Sequence, residues 1–226
     1  MAFQRGPNIV TNGLVLALDA GNTKSYPGSG TIWRDLSGNR NSGTLTNGPI
    51  FNSSNGGSMV FDGIDDYVLT SNSLTLSEAT LSCWIKANGI QAEYDGILFS
   101  RTPSTATGLN FKPSNQLGYH WNDTAATYGW NSGLIIPNNI WCMVAVTIIS
   151  TTGIAYLAQS TGLTSATNVT THNSVSSLIF NLGRDPAFGT RFFTGDIANA
   201  MVYNRALSQQ EILQNYNALK SRYNPE

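Results

Sequence analysis

Short apolar runs recur along the chain between clusters of Gly, Asn, Ser, Thr and Pro: LVLALD, SMVFD, DYVLT, TLSCWIKA, GILFS, QLGYHW, WCMVAVTII, GIAYLA, SLIFNLG and ANAMVYN. Runs this short, bounded by turn residues and partly alternating with period two, predict strands, and their spacing predicts an all-β sandwich. Residues 141–149 are apolar on both faces, which predicts a central strand covered on each side. One segment breaks the pattern. In RALSQQEILQNYNALKSRY, Ser208 followed three positions later by Glu211 forms a capping box, and Leu207 with Ile212 forms a hydrophobic staple. Ile212, Leu213, Tyr216, Leu219 and Tyr223 then share one stripe, predicting a helix docked on the sandwich. No repeat or linker divides the 226 residues, which read as an arm, 1–12, and one domain, 13–226.

Composition narrows the partners. Only 11% of residues are charged and the net charge is −1, so there is no sustained field for a polyanion, and nucleic acid and membrane surfaces are poor partners. The apolar run at residues 14–18 is too short for a signal-peptide core or a membrane span. Cys83 and Cys142 lie in strand-like segments and read as free buried thiols, which together with the missing export signal suggests synthesis and residence in a reducing cytoplasm.

The stretch FDGIDDYVLT gathers Asp62, Asp65 and Asp66 in a chain with thirteen carboxylates. Asp62-Gly63 suits a tight hairpin, and short acids at a turn bond local backbone groups. The alternative is a hard-cation site, with the three acids as calcium ligands, although DGIDD lacks the twelve-residue spacing of a dedicated calcium loop. No other cofactor is expected. His120 and His172 lie far apart and outside any nucleophile pattern; His120 reads as a half-exposed strand residue.

The ordered landmarks FDGIDDYV, TLSCWIKAN, NNIWCMVAVTI, NLGRD and FTGDIANAMVYNRALSQQEILQNY resemble those of laminin-G-like domains in the concanavalin A-like lectin and glucanase superfamily, over roughly residues 55–223. The resemblance implies a jelly-roll sandwich of two antiparallel sheets, one concave, with one short C-terminal α-helix. The segment LVLALDAGNTKSYPGSGTIWRDLSGNRNSGTLTNGP further resembles versions found in structural proteins of tailed bacteriophages. Hydrolases of the superfamily carry E-x-D-x-E on one strand. This chain has no such motif, and its nearest approach, Glu93-Tyr94-Asp95, runs into Gly96 and reads as a loop. No enzyme is expected.

Binding remains. LGYHWNDTAATYGWNS puts Tyr119 and Trp121 on one face of a strand and Tyr128 and Trp130 on one face of the next, joined by a polar loop with Asn122 and Asp123. Aromatic faces with nearby Asn and Asp are the ingredients of a glycan site; regular alternation equally suits sandwich core. Two functions follow as expectations. The first is a non-catalytic virion building block, a capsid decoration or fibre component at the virion surface, made in the host cytoplasm. It would contact other virion proteins of capsid or tail as a homo-oligomer, with reversible adhesion to host cell-surface polysaccharide. The second is a lectin-like carbohydrate-binding module.

Overall fold

The computed structural model describes residues 7–223, so the first half of the expected arm lies outside the described residues. Two large antiparallel sheets face each other. The first has eight strands, in spatial order Gly162–Val169, Thr152–Gln159, Cys142–Ile149, Ala79–Ala87, Thr194–Tyr203, Ser58–Asp62 and Ile50–Asn52, with Leu14–Asp19 sharing the far edge of Thr194–Tyr203 with Ser58–Asp62. The second has seven: Gln116–His120, Thr105–Lys112, Gly96–Thr102, Asn181–Leu182, Tyr67–Thr70, Gly43–Thr46 and Ile32–Trp33. A small ribbon pairs Val175–Leu178 with Leu74–Leu76.

The expected sandwich is therefore present, and alternation fixes what each face does. Cys142–Ile149 sends Val144, Val146 and Ile148 into the core between the sheets. Its alternate residues Met143 and Ala145 enter a second apolar cluster on the opposite face. That second cluster explains why this strand reads as apolar throughout. Cys83 and Cys142 are both buried, unpaired thiols in the inter-sheet core, and burial pushes the Cys142 thiol up to about 12.

The second cluster lies beneath the helix Gln209–Tyr223. The Trp84 ring stacks on Tyr216 at 5.2 Å and 13°, and Tyr223 tilts over both Trp84 (4.7 Å) and Trp141 (5.0 Å). The buried stripe differs from the expected one at a single step. Leu213 is 40% exposed, and the buried polar residue of the helix is Asn215, whose Oδ1 accepts from Val10 N–H at 2.8 Å while its Nδ2 donates to Tyr203 Oη at 3.0 Å. An amide bonded at both its oxygen and its nitrogen can be buried at little cost, so the helix turns its polar anchor inward and leaves Leu213 at the rim.

The capping box forms as the residues imply: Ser208 N–H donates to Glu211 Oε2 at 2.9 Å, and Glu211 N–H donates to Ser208 Oγ at 3.3 Å. Arg205 bonds the same carboxylate, and this guanidinium, followed by the Ser208 amide, holds Glu211 down at about 2. The unfolded value is about 4.3, so the stabilisation is present above that pH and drains as pH falls toward 2. Glu211→Gln is expected to remove this component, so that acid unfolding of the variant loses its steepening below about pH 4. Superimposable acid transitions for parent and variant would exclude the linkage.

No helix among the described residues is long and apolar enough to cross a membrane.

Candidate functional site

The outer face of the seven-stranded sheet carries the candidate site. Within Gly96–Thr102, Thr105–Lys112 and Gln116–His120, the residues Leu98, Leu109, Phe111, Leu117 and Tyr119 enter the core, so their alternates Phe99, Arg101, Asn110, Lys112 and His120 lie on the outer face. Gly108 stands in register between Phe99 and His120, with φ +151°, and a Cβ there would lie 2.3 Å from Leu98 O. Lacking a side chain at this position, the sheet lets the Phe99 and His120 rings meet edge to face at 5.0 Å.

His120 is buried at the floor of a cleft of about 190 Å³. Tyr94 meets its ring edge-on at 5.3 Å, and Tyr128 stacks on it at 5.3 Å and 26°. Phe188, 44% exposed, adds a ring at the rim. Burial, followed by the nearby Arg101 charge, lowers the His120 imidazole to about 3, so it is a neutral ring at physiological pH. Its Nδ1 has no hydrogen-bond partner among the described residues.

Charges surround these rings in matched sets. Asp185, fully buried, accepts from Arg101 Nε at 2.7 Å, Arg101 Nη2 at 3.0 Å and Arg191 Nη1 at 2.9 Å. Arg101 Nη1 also lies 3.7 Å from Asp123. The Arg191 guanidinium sits 3.8 Å from the Phe188 ring centre and 4.7 Å from that of Tyr94, which holds both rings in place. Lys112 Nζ donates to the Glu93 carboxylate and to Tyr128 O at 3.0 Å. Asp95, in the turn beside Tyr94, is buried; desolvation raises it to about 6, and its Oδ1 is unpartnered. Three non-glycine residues around the cleft hold positive φ: Tyr94 (71°), Asn122 (52°) and Asp123 (51°). Such backbone is costly, most of all for a bulky residue like Tyr94, and persists where surrounding contacts over-determine it.

The six residues expected to form a glycan platform divide. Tyr119 and Trp121 are 1% and 0% exposed and belong to the inter-sheet core, with Tyr119 Oη 2.9 Å from His172 Nε2 and Trp121 Nε1 donating to Asn173 O at 2.7 Å. Their alternation is real but points them inward. Tyr128 and Trp130 are not on a strand: Ala125–Tyr128 is a short α-helix where the sequence predicts a strand. Trp130 packs half-buried against the core, edge-on to Tyr119 at 5.7 Å. Tyr128 and Asp123 line the cleft, while Asn122 N–H donates to Thr107 Oγ1 at 3.2 Å. Unanticipated members are Tyr94, Arg101, Phe188 and Arg191. A signal was available for His120: a core-facing Tyr119 forces it onto the outer face.

At the hairpin, the ligand oxygens of Asp62, Asp65 and Asp66 lie within 4.8 Å of one another, close enough to chelate a divalent ion such as calcium. The turn reading is satisfied as well: Asp62 Oδ1 accepts from Ile64 N–H at 2.8 Å, and Asp66 Oδ2 accepts from Asp62 N–H at 3.1 Å. Burial raises the Asp66 carboxyl, and the neighbouring Asp62 and Asp65 charges add to the shift. Calcium needs six to eight oxygens, so backbone carbonyls and water would complete the shell.

Comparison with known proteins follows this geometry. A family model described as the concanavalin A-like lectin/glucanases superfamily matches residues 62–213. No curated protein matches the chain in sequence. Among solved structures, the chain is similar to domain 4 of AbnA, an extracellular GH43 arabinanase from Geobacillus stearothermophilus in complex with arabinotriose, at 16% identity and a TM-score of 0.65, covering 91% of this chain and 98% of that one. It is also similar to Trypanosoma rangeli sialidase in complex with sialic acid (15% identity, TM-score 0.64, 94% of this chain and 34% of that one). A third is the binding domain of botulinum neurotoxin serotype D (13%, 0.62, 90% and 51%). The chain thus spans about a third of the sialidase.

These findings overturn the virion reading: the similar structures belong to glycosidases and a toxin, and none is a phage protein. The N-terminal segment that suggested a phage component forms Leu14–Asp19, Ile32–Trp33 and Gly43–Thr46, ordinary strands that complete the two sheets. The fold is shared with the AbnA domain over 98% of that domain's length. With two thirds of its length matched by the family model and both sheets in place, the chain belongs to the concanavalin A-like lectin/glucanases superfamily as a laminin-G-like domain.

Proposed function

We propose that the domain is a non-catalytic carbohydrate-binding module whose site is the cleft on the outer face of the seven-stranded sheet. One observation carries this: Tyr94, Tyr128 and Phe188 rings converge on a single opening together with the hydrogen-bonding groups of Asp123 and Arg191. Rings cover the C–H faces of a sugar, and the polar groups take up its hydroxyls. The arabinotriose complex of the similar arabinanase domain supports the reading.

Titration calorimetry against oligosaccharides tests it. Tyr128→Ala and Phe188→Ala are each expected to weaken binding about fivefold, corresponding to about 1 kcal/mol of ring contact. Neither ring is deeply packed, so both variants should melt near the parent temperature. Undiminished affinity in both would remove the cleft from consideration.

A further inference from the structure

Resting on the carbohydrate-binding reading, we infer that the cleft selects a neutral sugar ring at the end of a glycan and discriminates against sugars bearing a carboxylate. The argument begins with charge. Arg101 and Arg191 line the cleft, Lys112 lies buried beside it 4.5 Å from the Tyr94 ring centre, and three carboxylates already hold these cations: Asp185, Asp123 and Glu93. Arg101 gives Nε and Nη2 to Asp185, and its Nη1 lies 3.7 Å from Asp123. Arg191 spends Nη1 on Asp185 and lays its plane against Phe188 and Tyr94. The Arg101 fork, which would offer the bidentate contact that recognition of a carboxylate uses, is filled by Asp185, and the Arg191 charge is paired with the same carboxylate.

The remaining titratable groups do not supply a positive charge. His120 is neutral, and Asp95 contributes either nothing or one further negative charge. A uronate or sialate entering here would lose its hydration without meeting an unpaired cation, the arrangement in which a buried charge is most costly. Hydroxyls meet no such barrier, because each can donate to the half-exposed Asp123 carboxylate or accept from Arg191.

Size supplies the second part. A cleft of about 190 Å³ lies below the range of roughly 300 to 1,000 Å³ usual for small-molecule sites, which fits one ring and not an extended run of a polymer. Tyr94 and Asp123, both at positive φ, are part of the lining of this small cleft.

The experiment measures the parent protein by calorimetry against a broad panel of glycans containing matched pairs: lactose with sialyllactose, and neutral with uronate-containing trisaccharides. It also includes one neutral series from monosaccharide to hexasaccharide. Neutral members are expected to bind at least tenfold more tightly than their acidic partners, with affinity level beyond the disaccharide. Preference for the acidic members would overturn the inference and leave the carbohydrate-binding reading standing, as would affinity that climbs through to the hexasaccharide. Absence of binding to every sugar would defeat that reading and the inference with it. Asp123→Asn isolates the charge argument, since Asn tolerates the same positive φ while freeing Arg101 Nη1. It should shrink the neutral-over-acidic ratio severalfold at low salt, and the shrinkage should fade as salt is raised. An unchanged ratio would mean that charge matching does not set selectivity.

Discussion

Trp121→Ala is expected to lower the melting temperature by roughly 6 to 20 °C. Truncating a fully buried aromatic costs about 3 to 5 kcal/mol, and each kcal/mol moves a domain of this size by about 2 to 4 °C. Trp121 is 0% exposed, and its indole N–H donates to Asn173 O at 2.7 Å, so the substitution opens a cavity between the sheets and strips a partner from the segment that follows the strand Gly162–Val169. The neighbouring Tyr128→Ala should leave the melt almost unchanged while reducing sugar affinity. The pair is therefore a double dissociation between packing and binding inside one stretch of eight residues. A Trp121→Ala protein that melts with the parent would place the indole outside the core and reopen this strand as a binding surface.

The second large effect is expected at Asp185. Its carboxylate is the fully buried hub for Arg101 and Arg191, and removing one member of a buried ion group leaves the others uncompensated, at a cost of about 3 to 5 kcal/mol. The two arginine side chains are 14% and 22% exposed and can recover some water, so Asp185→Ala should fall near the lower end, about 3 kcal/mol. Binding should suffer beyond the loss of stability. Asp185 Oδ2 accepts from Arg191 Nη1 at 2.9 Å, and Arg191 in turn orders Phe188 and Tyr94, so the rim loses its geometry as well as its charge balance. Urea titration alongside calorimetry at a temperature where the variant is folded reads the two effects separately. A midpoint and an affinity both equal to the parent's would show that the hub is dispensable.

How far the sequence could be read is clearest at these positions. Strand runs, the central strand Cys142–Ile149 and the capping box of the last helix were legible, because each depends on neighbours within a few residues and on a fixed period. Tyr119 and Trp121 were legible as one face with two open readings, sandwich core and glycan platform, and the choice between them was not legible. Which face meets the second sheet depends on pairing with Thr105–Lys112, and no local pattern encodes that. The short helix Ala125–Tyr128 was hidden for a different reason: four residues carry too little periodicity, and Thr124, the residue before it, makes no side-chain cap. The cleft was least visible of all. Tyr94, Arg101, His120 and Arg191 come from four separate segments, and they meet only because Asp185 gathers two of them and Gly108 makes room for a third.

The position of Thr194–Tyr203 has a consequence for how the domain is made. It is the last strand of the described residues in chain order, yet it lies inside the eight-stranded sheet, with Ala79–Ala87 along one edge and both Leu14–Asp19 and Ser58–Asp62 along the other. During synthesis the strands on either side of it emerge first and wait with unpaired edges until it arrives. Contacts of such long sequence separation close late and slowly, and a chain stalled before residue 194 would present two open β edges at once. Ribosome-bound intermediates of this domain should therefore be the species that chaperones hold, and the final strand the event that releases them.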